Sequence, residues 1–167
     1  MMVQMKVTGL TIDPFTNMPI IILKDMEEKS ALPIWIGLIE ASAIATELEK
    51  IELSRPMTHD LLRNILHVMK IRVIKIQVND LHDNTFYANI TLEKDGKQID
   101  VDSRPSDAIA VALRTNAPIY VDQKVIEKSR NIDLSKEGKA GEQKIKEEKW
   151  AEILENLNME DFGKYKM

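Results

Sequence analysis

One pattern of elements occurs twice in this chain, and that repetition constrains the fold more than any other feature. Val3, Met5, Val7, Gly9, Leu10 and Ile12 recur at a period close to two and stop at Asp13-Pro14, a strand entering a turn. Met18 to Lys24 is a dense β-branched run that predicts a buried strand. Asp25 to Lys29 is a charged turn, and Leu32-Pro33-Ile34-Trp35-Ile36-Gly37 predicts a third strand closed by glycine. The period then lengthens: Ile39, Ala43, Ile44, Leu48 and Ile51 define one face of a helix. Pro56 opens a second helix with Leu61, Leu62, Ile65, Leu66 and Met69 on its apolar face and Thr58 or Ser54 as its cap. After Lys70 the alternation returns. Ile74, Ile76 and Val78 share a face of a long strand, His82-Asp83-Asn84 turns, and Phe86 to Leu92 is the next strand. Lys94-Asp95-Gly96-Lys97 is a hairpin signal before a short strand over Ile99 to Val101. A helix over Ser106 to Arg114 follows, then a strand at Ile119-Tyr120-Val121 and a short helix over Val125 to Ser129.

Strand, strand, strand, helix therefore appears twice. Lys6-Val7 aligns with Arg72-Val73 at an offset of 66 residues, and Glu40-Ala41 aligns with Asp107-Ala108 at an offset of 67. We read a duplication, although two β-rich halves that resemble each other by chance would give the same order. Each half leaves one sheet face open, so both are expected to share the core of one α+β domain built on a mixed sheet. That domain is expected to span residues 1–130. Residues 131–148 are rich in Lys, Glu and Gln and read as a charged linker. Residues 149–167 read as an amphipathic C-terminal helix with Trp150, Ile153, Leu154 and Leu157 on one stripe. The stripe needs cover from the body, a second subunit or a partner, and a homo-oligomer is expected.

Composition removes several classes of chemistry. The 167 residues include no cysteine, which excludes disulfides, thiolate catalysis and cysteine-ligated metal sites. No basic region followed by an apolar stretch opens the chain, and no apolar run approaches the ~20 residues that span a bilayer. A cytoplasmic protein without membrane contact is the expectation. The net charge of −4 argues against bulk electrostatic binding of nucleic acid, leaving one basic cluster, Lys70, Arg72 and Lys75, in the body. Walker, GxGxxG, HExxH and nucleophile-elbow motifs are absent.

Three polar clusters remain as carriers of function. Arg55-Pro56-Met57-Thr58-His59-Asp60 precedes the second helix, Asp102-Ser103-Arg104-Pro105-Ser106-Asp107 precedes the third, and Glu40 begins the first. Proline, serine, threonine and aspartate at helix starts are explained by capping. Arginine before proline, twice, is not, because a cation at a helix N-terminus opposes the dipole. Guanidinium groups beside free helix-end amides suit phosphate or carboxylate; pairing of each arginine with an aspartate of either cluster is the other reading. Candidate substrate-binding residues are Arg55, Thr58, Arg104 and Ser106. His59, between a hydroxyl and a carboxylate, is the candidate proton carrier; His67 and His82 read as structural or surface residues. Glu40, Asp60, Asp102 and Asp107 could hold Mg²⁺ or Mn²⁺ through hard oxygen ligands, with Asp102 and Asp107 the metal candidates, or could simply cap helices.

These same segments, Leu32 to Gly37 with Glu40-Ala41, Arg55 to Leu61, and Asp102 to Ala110, resemble in order the bifunctional nuclease domain family, whose bacterial members are small stand-alone proteins. The resemblance covers about residues 3–130. It implies an α+β fold with a duplicated strand-and-helix unit, and cleavage of RNA and DNA as credited to plant members. On that implication His59, Asp60, Asp107 and Glu40 are the catalytic candidates, with RNA or DNA as partner. A non-catalytic module binding a small anion or a protein through the same pocket, and an oligomeric scaffold, are the other readings.

Overall fold

In the computed structural model, which describes residues 1–135 and their side chains through residue 130, the repeated pattern becomes two antiparallel meanders. β1 (Met2–Ile12), β2 (Pro19–Asp25) and β3 (Ala31–Trp35) form the first, followed by α1 (Leu38–Leu48) and α2 (Thr58–Val68). β4 (Arg72–His82), β5 (Thr85–Lys94) and β6 (Lys97–Ser103) form the second, followed by α3 (Pro105–Thr115). β7 (Ile119–Asp122) then inserts between the meanders, antiparallel to β1 and parallel to β4, and α4 (Gln123–Ser135) follows it. One mixed sheet results, in the order β3-β2-β1-β7-β4-β5-β6, and the class is α+β. The parallel between the halves extends to an irregularity. β1 bulges at Thr8 and β4 at Ile74, positions separated by the same 66 residues that align Lys6-Val7 with Arg72-Val73.

Alternation puts one apolar face on the sheet. Met5, Ile21, Leu23, Ile34, Ile76, Val78, Ala88 and Val121 are buried there. Ile44 of α1, Ile109 of α3 and Val125 and Ile126 of α4 belong to the same core. Within α3 the run Ala108-Ile109-Ala110-Val111-Ala112 is buried nearly all round, because small side chains let α1 pack on one side and the sheet on another. The turn at Asp95-Gly96, both with positive φ, joins β5 to β6 as the sequence predicts.

Four details differ from the sequence reading. α2 starts at Thr58 rather than Pro56, and neither Thr58 nor Ser54 caps it; the Asp60 carboxylate accepts the Met57 N–H at 3.0 Å instead. The apolar face of α2 is mostly exposed, and Leu66 alone is buried. β6 is longer than Ile99–Val101 because it pairs with β5 along its whole length. α4 begins at Gln123 and continues through residue 130 to Ser135. The remainder of the expected linker and the expected tail, with Trp150, lie outside the described residues. Among the described residues no helix is long and apolar enough to cross a membrane.

Candidate functional site

The first turns of α1, α2 and α3 come together on the helical layer, and each brings a residue that the sequence singled out. Gly37 caps α1 and Glu40 lies in its first turn; His59 and Asp60 lie in the first turn of α2; Arg104 is the N-cap of α3 and Asp107 lies in its first turn. Carboxylates in these positions are favoured by the helix dipoles. Arg104 opposes the dipole of α3 and is held by charge instead. Its Nε donates to Asp107 Oδ2 at 2.8 Å and its Nη1 to Glu40 Oε1 at 2.8 Å. The other oxygen of Asp107 is 2.8 Å from His59 Nε2. Glu40, Arg104, Asp107 and His59 thus form one continuous chain across three helices.

The chain of contacts favours the ionised form of Asp107. Burial works to raise the Asp107 carboxyl, but the hydrogen bond and charge of Arg104, with the His59 contact, outweigh it and hold the group below the usual carboxylate range. An ionised carboxylate only accepts, so the bridging proton sits on His59 Nε2, which leaves Nδ1 as the ring atom free to exchange a proton. Arg104 has five N–H donors, of which these contacts take two. Its side chain is 65% exposed, so the remaining donors can meet a ligand from solvent.

A second network positions α2. The Arg114 side chain is 2% exposed and satisfies three helices: Nε donates to Asp60 Oδ1 at 2.8 Å, Nη1 to the Ala110 carbonyl at 3.0 Å and Nη2 to the Ala43 carbonyl at 2.9 Å. Burial works to raise the Asp60 carboxyl; the Arg114 hydrogen bond, the Met57 N–H and the charges of Arg114 and Arg63 hold it low. Sequence reading passed over Arg114. The available signal was its place on the buried side of an Ala-rich helix, four residues after Ala110 and eight after Ser106.

The other candidates lie apart from the chain of contacts. Arg55 is exposed on the loop before α2 and lines an open cleft of about 430 Å³ with Leu53, Arg63, Asp60 and Arg114. It forms no ion pair with any described carboxylate, unlike Arg104, which pairs with its own cluster's aspartate. Thr58 is exposed at the start of α2, whereas Ser106 is buried in α3. Asp102 pairs with Asn89 across β6 and β5, on the face that alternation turns away from buried Ala88 and Ile90, near Asn79, Asp80, Tyr87 and Lys124. Three of the four candidate carboxylates are engaged in ion pairs. Glu40 and Asp107 share Arg104, Asp60 faces Arg114, and Asp102 is on the other face. Among the described residues no group of three or more His, Asp or Glu is placed to hold a metal ion between them.

Residues 21–133 match the family model described as the bifunctional nuclease domain. An uncharacterized protein of Mycobacterium tuberculosis is 33% identical over 162 residues, covering 95% of this chain and 97% of that one. Bifunctional nuclease 1 of Oryza sativa subsp. indica is 29% identical over 110 residues, 63% of this chain and 33% of the rice protein. Bifunctional nuclease 1 of Arabidopsis thaliana is 27% identical over 110 residues, 63% of this chain and 34% of that protein. The region matched is thus about a third of the length of each plant relative. The chain belongs to the bifunctional nuclease domain family.

Proposed function

We propose that this protein cleaves phosphodiester bonds in RNA or DNA at the cluster of Glu40, His59, Arg104 and Asp107. The observation that carries the reading is the Asp107–His59 contact, which orients an imidazole beside an exposed guanidinium at a meeting of three helix starts. In this reading the spare donors of Arg104 bind the non-bridging phosphate oxygens, and Glu40 fixes the orientation of the guanidinium. His59 Nδ1 takes the proton from the attacking water or, in RNA, a 2′-hydroxyl, and Asp107 stabilises the imidazolium that forms. The imidazolium then returns the proton to the leaving oxygen. Asp60 acts through Arg114 to hold α2, and with it His59, in place. In the same reading Arg55 and Thr58, both exposed, meet flanking phosphates.

A second reading is a non-catalytic module of the same fold that binds an anion or a protein; the double neutralisation of Arg104 by Glu40 and Asp107 leaves the guanidinium little net charge for a phosphate and favours the protein-binding form. Labelled single-stranded RNA and DNA, incubated with the full chain in EDTA and in Mg²⁺ or Mn²⁺, separate the two. Cleavage is expected, with loss of about 10²-fold or more in His59→Ala and Asp107→Asn at unchanged circular dichroism. Oligonucleotide binding without cleavage in any buffer supports the module, and full activity in His59→Ala removes this centre from the reaction. The metal arms report whether a divalent ion takes part.

A further inference from the structure

α2 is an amphipathic helix whose apolar side has no cover among the described residues. Leu61, Leu62, Ile65, Val68 and Met69 fall within about 120° around its axis, counted at 100° per residue, and are 39–77% exposed. The helix is attached through other positions: Leu66, His59 with Asp107, and Asp60 with Arg114. An apolar stripe at this spacing normally faces a core. Its exposed area is on the order of 450 Å², the scale of the largest patch on a monomer and more than half of the roughly 800 Å² per partner that a stable interface buries.

The stripe is also symmetric about its centre. Leu62 and Val68 stand three residues either side of Ile65, and Leu61 and Met69 stand four either side. An antiparallel copy of the same helix therefore sets Ile65 against Ile65, Leu62 against Val68 and Leu61 against Met69, all apolar. This self-complementarity is what a two-fold interface requires. The antiparallel arrangement also opposes the two helix dipoles. It brings the residue five places after Ile65, Lys70, opposite the start of α2 in the other copy. Lys70 is exposed and forms no ion pair with a described carboxylate.

We propose that α2 packs against α2 of a second copy of this chain, antiparallel and centred on Ile65, and that each copy lends its Lys70 to the anion-binding surface beside the other's His59. The interface rests on the stripe alone; only the role of Lys70 rests on the function proposed above. Arg104 and Arg114 at that centre are already paired with carboxylates, and pairing of copies adds an unpaired cation to each.

The absence of cysteine makes the test direct. In the full chain, Ile65→Cys places a single thiol at the two-fold point, and mild oxidation is expected to double the 19.1 kDa mass on a non-reducing gel. The wild-type chain is expected to sediment as a dimer at micromolar concentration, and Ile65→Asp as a monomer with unchanged circular dichroism. A monomeric wild type, or a dimer that persists in Ile65→Asp, overturns the interface. So does an Ile65→Cys, Leu154→Cys chain that closes within itself while Ile65→Cys alone gives no covalent dimer, since the chain's own C-terminal segment would then occupy the stripe. Lys70→Ala is expected to stay dimeric and to bind single-stranded oligonucleotide about five- to tenfold more weakly at low salt. Unchanged binding removes Lys70 from the surface. A protein that crosslinks through Ile65 yet cleaves nothing loses the nuclease reading and keeps the interface.

Discussion

Asp60→Ala tests whether the Arg114 network holds α2 against the rest of the fold. The substitution removes the counter-charge from a guanidinium that is 2% exposed and also leaves the Met57 N–H without its acceptor. Breaking a buried pair by deleting one partner costs about 3–5 kcal/mol. Asp60 keeps 22% of its side chain exposed, so water partly replaces it and the lower end applies, about 3 kcal/mol. For a chain of this size that corresponds to a fall in Tm of about 10 °C. Urea denaturation followed by circular dichroism gives the free energy, and amide hydrogen exchange shows where it is lost. Because α2 buries only Leu66, exchange is expected to accelerate first over Thr58–Val68. The double variant Asp60→Ala, Arg114→Met carries no orphaned charge and is expected to be more stable than Asp60→Ala alone. A loss below about 1 kcal/mol in Asp60→Ala, or simple additivity in the double variant, refutes the reasoning.

Two further predictions follow from the same cluster. A Cβ on Gly37 would lie 2.1 Å from Glu40 Oε2, and φ there is −71°, so alanine fits the backbone but displaces the Glu40 carboxylate from Arg104. Gly37→Ala is therefore expected to cost less than about 1 kcal/mol while reducing oligonucleotide cleavage as much as Glu40→Gln; wild-type cleavage would show that the Glu40–Arg104 contact is not used. Asp60 and Asp107 both titrate below their ordinary range when folded, so in the acid window the unfolded chain binds more protons and stability rises with pH. Their contribution is complete above the unfolded value of about 4 and is lost as pH falls through the lower folded values. Denaturation midpoints between pH 2 and 7 are expected to show that slope, reduced in Asp60→Ala; an unchanged slope removes Asp60 from its origin.

The strands, α1 and α3 were legible because burial on one face writes a period of two or 3.6 directly into the residues. Glu40, His59, Arg104 and Asp107 were legible as oddities at helix starts, since capping accounts for the acids and not for the arginine. Their convergence was not, because it depends on how α1 and α2 pack against α3, and no local pattern encodes that packing. Arg114 escaped for a related reason: a lone arginine in a last helical turn already satisfies the dipole, so nothing marks it as buried. The stripe on α2 shows the opposite limit. Periodicity reveals that a helix has an apolar side but not which body that side meets.

β7 contributes four residues, yet it is the seam of the sheet, pairing with Met2–Met5 on one flank and Ile76–Val78 on the other. Both meanders can assemble from neighbouring segments, whereas the seam joins β7 to β1 residues more than a hundred positions away and to β4 residues 43 positions away. Until residues 119–122 have been synthesised, a nascent chain holds two half-sheets, each with an open ladder along β1 or β4. Messages truncated between Ser103 and Pro118 would yield products that pair with one another instead of with themselves.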